Sequence, residues 1–253
     1  MTPTGPTLTP SSADLSDEQL ADLLELVETG PVDLGAYTQA ELAVVLGQLP
    51  ALGAGFESDV LAEAVRSLAA RGLLFSDPGD DFVNVVGDLG LVLALISIRL
   101  GTLDLRRGHE GPANEPWRWL ISIFPGGLVA VDRIDALGLH RLSLLSSKGL
   151  ADEMADRLLE GSASIPDGLE APIPVPAATV RDVAAKAAAR WQIIYQAPQS
   201  DGTMLTVDSM LLRTGTNRVD LVTRAPDGSE DYQRIAVDDD TLRDYLMQLS
   251  QLQ

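Results

Sequence analysis

Side chains able to do chemistry are scarce in this chain. It has two histidines, His109 and His140, and no cysteine. Thiolate nucleophiles, thiolate metal sites and disulfides are excluded, and a reducing, cytoplasmic setting is the simpler expectation. Two isolated histidines are too few for most metal or acid–base constellations. His140 falls on an alternating segment and reads as a surface or half-buried strand residue. His109, beside Glu110, lies in the irregular loop RGHEGPANEP (107–116) and reads as exposed. The run Asp238-Asp239-Asp240 has the composition of a divalent-cation site, but carboxylates just before an amphipathic segment more simply cap a helix and complement its dipole. Ser162 and Ser164 lack a nucleophile-elbow pattern. GAGF (53–56) precedes a helix but follows no strand, and no lysine comes after it, so it does not read as a phosphate loop. The expectation is a protein without catalytic residues, cofactor or metal.

The residues left as candidates are those that touch partners. Trp117 and Trp119 share a strand face by the period of two, and because one face of a sheet is normally core, both read as packing residues, with a rim position the alternative for Trp117. Trp117 stands beside the loop 107–116, a polar strand-to-strand connection of the kind that carries partner contacts. Glu110, Asn114 and Trp117 are the expected partner-binding residues.

Net charge narrows the partner. The chain carries 37 Asp and Glu against 18 Lys and Arg, a net charge of −19. Duplex affinity comes mostly from cations that neutralise phosphates. Residues 1–65 contain acidic residues but no Lys, Arg or His. The stretch EAVRSLAARGLLFSDPGDDFVNVV (63–86) has the order of a winged-helix recognition helix and wing. Its helix sets Arg66 and Arg71 against Glu57, Asp59 and Glu63, and its wing holds Asp77, Asp80 and Asp81. A surface of that sign repels nucleic acid. No apolar run approaches the roughly 20 residues of a membrane-spanning helix, so neither nucleic acid nor membrane is an expected partner.

The positioning elements follow from pattern. Residues 1–13, rich in Thr, Pro and Ser, read as a flexible tail. Ser16 with Gln19, and Thr38 with Glu41, form capping boxes that open two amphipathic helices. A third helix begins near Ser58, with strands expected at 73–76 and 82–86. Asp88 is expected to cap a buried helix ending near Ser97. Alternating segments then appear at GTLDLRR, WRWLISIF, LVAVDRI and LHRLSLL, the middle two joined by Pro-Gly-Gly as a hairpin, and a helix follows from Ser146 or Ser147. Residues 161–178 contain four prolines and read as an extended linker. Beyond it come an alanine-rich helix capped by Thr179, strands from 203, and a last helix capped by Asp238 or Asp240. The run WQIIYQ is open to helix or strand. The fold class expected is α+β: an antiparallel sheet flanked by helices, built from two pseudo-twofold-related halves at 14–160 and 179–253, with a winged-helix-like N-terminal segment.

The cadence of SLAARGLL, VVGDLGLVLALISIRLGTLDLRR, WRWLISIFPGGLVAVDRI and HRLSLL resembles the EspG family, cytosolic chaperones of actinobacterial type VII (ESX) secretion. The resemblance covers residues 40–160, and the C-terminal half agrees in element order. It implies a non-enzymatic protein that covers the apolar tip of a helical secretion substrate, of PE–PPE or WXG100 type, and keeps it soluble. No family binding residue transfers, because no sharp motif anchors one. The alternative reading is a winged-helix transcription regulator with a C-terminal sensing domain; a third is an enzyme of unfamiliar constellation.

Overall fold

The computed structural model describes residues 15–45, 56–75, 84–108, 116–159, 172–214, 218–224 and 231–251. Within them the chain is α+β, with one ten-stranded antiparallel sheet, a two-stranded hairpin and seven α-helices. In chain order these are α1 (Asp17–Glu28), β1 (Val32–Thr38), α2 (Gln39–Val45), α3 (Ser58–Ala70), β2 (Leu74–Phe75), β3 (Asn84–Val85), α4 (Gly87–Ser97), β4 (Gly101–Arg107), β5 (Pro116–Ile123), β6 (Leu128–Asp135), β7 (Leu139–Ser146), α5 (Ser147–Leu158), β8 (Ile173–Val175), α6 (Ala177–Lys186), β9 (Ala189–Pro198), β10 (Met204–Thr214), β11 (Arg218–Arg224), β12 (Tyr232–Ala236) and α7 (Asp239–Gln251). The large sheet runs β1-β7-β6-β5-β4-β9-β10-β11-β12-β8. Outward from the central β4–β9 pair, each side lays down four strands in chain order. It then ends on a strand from earlier in the chain, β1 on one edge and β8 on the other.

Helices begin where the sequence provides acceptors for their free amides. Ser16 Oγ accepts from Gln19 N at 3.2 Å while Gln19 Oε1 accepts from Ser16 N at 2.9 Å. The second box also forms: Thr38 N donates to Glu41 Oε2 at 2.8 Å, and Glu41 N donates to Thr38 Oγ1 at 3.2 Å. Glu41 does more than cap, because Ser67 Oγ and Arg71 Nη1 of the next helix region donate to its Oε1 at 2.7 and 3.3 Å. Asp238 caps α7, accepting from Thr241 N at 2.8 Å. Asp88 is not a cap: α4 starts at Gly87 after Val86, and no side chain closes its end.

The two sheet faces are covered differently. One face carries the larger core, with Leu103, Leu105, Ile121, Val131, Ile193 and Leu211 under Met154 of α5 and Leu242, Leu246 and Leu249 of α7. Arg243 fastens the two helices to each other, 2.9 Å from Asp152 and 3.3 Å from Asp156. On the other face, α1 to α4 build a second core over the β1–β7–β6 end, around Leu34, Tyr37, Leu68, Leu128 and Leu144. At the far end α6 sets Val180 and Ala184 against Leu212 and Val222. Asp220 is fully buried beneath that end and is held by Arg218 Nε at 2.9 Å and Arg234 Nη2 at 2.6 Å.

Other features depart from the sequence expectations or decide what they left open. VDLGAYT is a strand, β1, which the sequence did not announce: Gly35 sits at φ +98° next to a register shift, and that bulge breaks the alternation. The alanine-rich helix is α6, which starts at Ala177 and stops at Lys186. The next residues, from Ala189, are the ten-residue strand β9, so WQIIYQ is strand. Within 161–178, Ile173–Val175 pairs with β12 as an edge strand and Ala177 already opens α6. His140 is deeply buried, at 3% exposure.

Candidate protein-docking surface

The middle strands are unequally dressed on their two faces. Alternation on β4 puts Leu103 and Leu105 inward and Thr102, Asp104 and Arg106 on the opposite face. On β5, Trp119, Ile121 and Ile123 are buried, while Arg118, Leu120 and Ser122 are half-buried. On β9, Trp191, Ile193, Tyr195 and Ala197 are buried, while Gln192 and Ile194 are half-buried and Gln196 is exposed. The face opposite α5 and α7 is thus flanked by helical cores at both ends. In the middle it presents a partly open saddle of mixed polarity.

Register aligns that saddle into rows. Asp208, Ile194, Asp104, Leu120, Asp132 and Leu142 follow one another across β10, β9, β4, β5, β6 and β7. Two aliphatic side chains therefore alternate with carboxylates at the centre. The carboxylates are anchored. Arg118 grips Asp104 with Nε on Oδ1 and Nη2 on Oδ2, both at 2.9 Å, and Arg106 Nε donates to Oδ2 at 2.9 Å. Burial pushes the Asp104 carboxyl upward, but the hydrogen bonds and charges of Arg118 and Arg106 outweigh it and hold it below the usual carboxylate range. Two strands away, beyond Leu120, His140 Nδ1–H donates to Asp132 Oδ2 at 2.7 Å.

Of the partner-contact residues expected from the sequence, Glu110 and Asn114 lie outside the described residues, as does His109. Trp117 is described and stands at the sheet end, 39% exposed. A register shift between Pro116 and Arg118 separates it from the buried set of Trp119. Its Nε1–H donates to Asp135 O at 3.0 Å, which turns the ring toward the β6–β7 turn where Leu137 is 81% exposed. Structure thus adds Leu137 to Trp117 as an apolar pair at one sheet end. A lone leucine in a turn, after Asp135 and Ala136, carried no periodic signal. The Leu120–Ile194 saddle was also missed: alternation assigns residues to faces but does not say which face a helix will cover.

The other motifs resolve plainly. Asp239 and Asp240 sit in the first turn of α7, within reach of Arg243. Among the described residues, no group of three or more His, Asp or Glu is placed to hold a metal ion. No helix among them is long and apolar enough to cross a membrane. Arg66 pairs with Glu63 at 2.7 Å. Arg71 donates to Glu41 and to Ala36 O and lies 4.7 Å from the Tyr37 ring centroid. Arg66 and Arg71 are therefore both engaged within the chain.

The architecture defines an α+β protein with one large antiparallel sheet and a partly uncovered sheet face. No protein-family model matches the chain, and no curated protein sequence matches it.

Proposed function

We propose that this protein binds another protein, without catalysing a reaction, and that the partner docks a helical segment on the saddle of β4, β5 and β9. The carrying observation is the asymmetry of those strands: one face largely buried under α5 and α7, the other half-open with Leu120 and Ile194 between anchored charges. An amphipathic helix laid there would cover the two aliphatic side chains and meet the Asp104, Arg106 and Arg118 group with its polar flank. Trp117 and Leu137 would extend the contact at the sheet end, the tryptophan as an anchor of the kind that dominates binding energy. A net charge of −19 keeps such a chain soluble while it shows apolar surface.

The resemblance to the EspG family makes the partner a helical type VII secretion substrate, of PE–PPE or WXG100 type, held in the cytoplasm before export. The mirrored strand order about the β4–β9 pair supports two pseudo-twofold-related halves, each of four strands and a closing helix. The order α2, α3, β2, β3 supports a winged-helix-like N-terminal segment. The regulator reading is the weaker one, because Arg71 is held on the buried Glu41, Arg66 faces Glu63 at the surface, and the surrounding charge repels a duplex.

Co-expression with a PE–PPE heterodimer and a WXG100 pair, followed by size-exclusion chromatography, tests the reading. The wild-type chain is expected to co-elute with one of them, and Ile194→Arg to elute alone at its own folded volume. Failure of the wild type to retain either, or full retention by Ile194→Arg, would refute it.

A further inference from the structure

Beside the saddle, on the same sheet face, a groove of about 410 Å³ runs along α6. Val180 and Arg181 of α6 line it, with Arg190 of β9, Met210 of β10, Arg224 of β11 and Tyr232 of β12. Register explains the grouping. Met210 lies opposite Gln192, two residues before Ile194 on β9, and Arg190 lies opposite Leu212. Arg224 lies opposite Tyr232, and α6 packs on Leu212 and Val222 of the same face. Arg190 and Arg224 stand on opposite sides of β10, roughly 16 Å apart by strand geometry, so the cations are spread along the groove. Gly108 N donates to Arg190 O at 2.7 Å, and a Cβ at position 108 would lie 2.4 Å from Arg190 Nε. The bare backbone of Gly108 thus leaves the room that the Arg190 side chain occupies.

Charge and bonding point to what the groove accepts. The chain carries 37 Asp and Glu, yet among the described residues no carboxylate lines the groove. Arg190 is half-buried, and among the described residues neither its guanidinium nor that of Arg224 has a hydrogen-bond or ion-pair partner. Arg181 Nε donates to Ala177 O, one turn back in its own helix, at 3.5 Å. The carboxylates nearby are occupied: Asp220 by Arg218 and Arg234, Asp104 by Arg118 and Arg106. Asp208, on the saddle edge, accepts from Gln192 Nε2 at 3.3 Å. A half-buried guanidinium without a counter-charge costs free energy that an arriving carboxylate recovers.

We propose that the groove selects an acidic partner: the helical segment that docks on the saddle carries Asp or Glu along the flank facing α6, and these carboxylates pair with Arg190 and Arg224. The inference rests on the saddle reading and adds the chemistry of the partner to it. Met210 and Ile194 receive the apolar face of the helix, and Val180 of α6 closes the groove behind it. Acidic side chains one or more turns apart on a helix, at 5.4 Å per turn, suit cations spread along a groove better than one small anion does. Arginine forks also match carboxylates bidentately. The preference is local and runs against the net charge of −19, which by itself attracts a basic segment.

The probe is a fluorescein-labelled amphipathic helical peptide with leucine at i, i+3, i+4 and i+7 and glutamate on the flanks, together with a twin that has lysine in place of glutamate. Both are titrated by anisotropy into the full chain at constant ionic strength. The glutamate peptide is expected to bind saturably and about tenfold tighter than the lysine twin. The double variant Arg190→Glu with Arg224→Glu, checked for fold by circular dichroism, is expected to reverse that order. Ile194→Ser is expected to weaken both peptides while keeping the glutamate preference. The acidic-partner inference is overturned if the glutamate peptide does not bind, if the lysine twin binds as tightly or tighter, or if the double variant keeps the wild-type preference. If Ile194→Ser leaves both affinities unchanged while the double variant reverses the order, the saddle reading fails and the acid-selecting groove stands.

Discussion

Asp104 shows what a single side chain contributes here. It lies on the half-open face, yet three guanidinium contacts at 2.9 Å hold it in place. Its carboxyl titrates below the ordinary value, despite burial pulling the other way, because Arg118 and Arg106 bond and face it. Glu41 is lowered in the same sense: burial acts upward, and the Thr38 amide, the Ser67 and Thr38 hydroxyls and Arg71 together outweigh it. A carboxyl with a depressed folded-state pKa adds stability above its unfolded value and loses it as pH falls through the folded one. The urea midpoint is therefore expected to drop on acidification from about pH 5 downward. Asp104→Asn should lower stability near neutral pH by about 1–3 kcal/mol, and the loss should shrink as pH falls through the depressed folded-state pKa. A loss that stays constant on acidification would contradict the assignment. At this scale the sequence was legible in part. By alternation Trp117 reads as packing with Trp119, with the rim as its alternative, and the register shift between Pro116 and Arg118 leaves it on the rim. His140 was placed at or near the surface and is buried, because its partner Asp132 comes from the neighbouring strand.

Among elements, those with local chemistry were readable and those decided by tertiary context were not. The boxes Ser16–Gln19 and Thr38–Glu41 form because their donors and acceptors lie within one turn. The β5–β6 hairpin forms at Pro125–Gly127, where Gly126 and Gly127 take φ +74° and +81°. By contrast AAKAAAR has high helix propensity, yet the chain turns extended at Ala189 because β9 must pair with both β4 and β10. The hairpin also supports α1. A Cβ at Gly126 would come within 2.7 Å of Leu24 Cδ1, whereas a Cβ at Gly138, also at φ +74°, would meet nothing within 4 Å. Both Gly→Ala changes carry the left-handed strain, about 1–2 kcal/mol. Only Gly126→Ala also disturbs α1, so its loss in urea unfolding is expected to exceed that of Gly138→Ala. Matching losses would show that α1 does not rest on the hairpin.

At the scale of the molecule, charge and layering set behaviour. With 37 acidic and 18 basic residues, self-repulsion at neutral pH outweighs the surface ion pairs, and screening should relieve it. The melting temperature is expected to rise when sodium chloride is added. A fall would mean that the ion pairs of Arg243, Arg106 and Arg118 dominate instead. The layering was half legible. Strand patterns and helix faces pointed to an antiparallel sheet with helical flanks, but a sequence does not show that α5 and α7 cover one face while α1 to α4 and α6 leave the middle of the other open. The absence of cysteine makes that open middle directly measurable. A thiol introduced as Gln196→Cys reports on the saddle, and one introduced as Asp240→Cys, at a 94% exposed side chain on the opposite side, serves as reference. With a helical secretion substrate bound, maleimide labelling is expected to slow severalfold at Gln196→Cys and to stay unchanged at Asp240→Cys. Labelling at Gln196→Cys that does not slow while the complex is intact would contradict the saddle as the docking face.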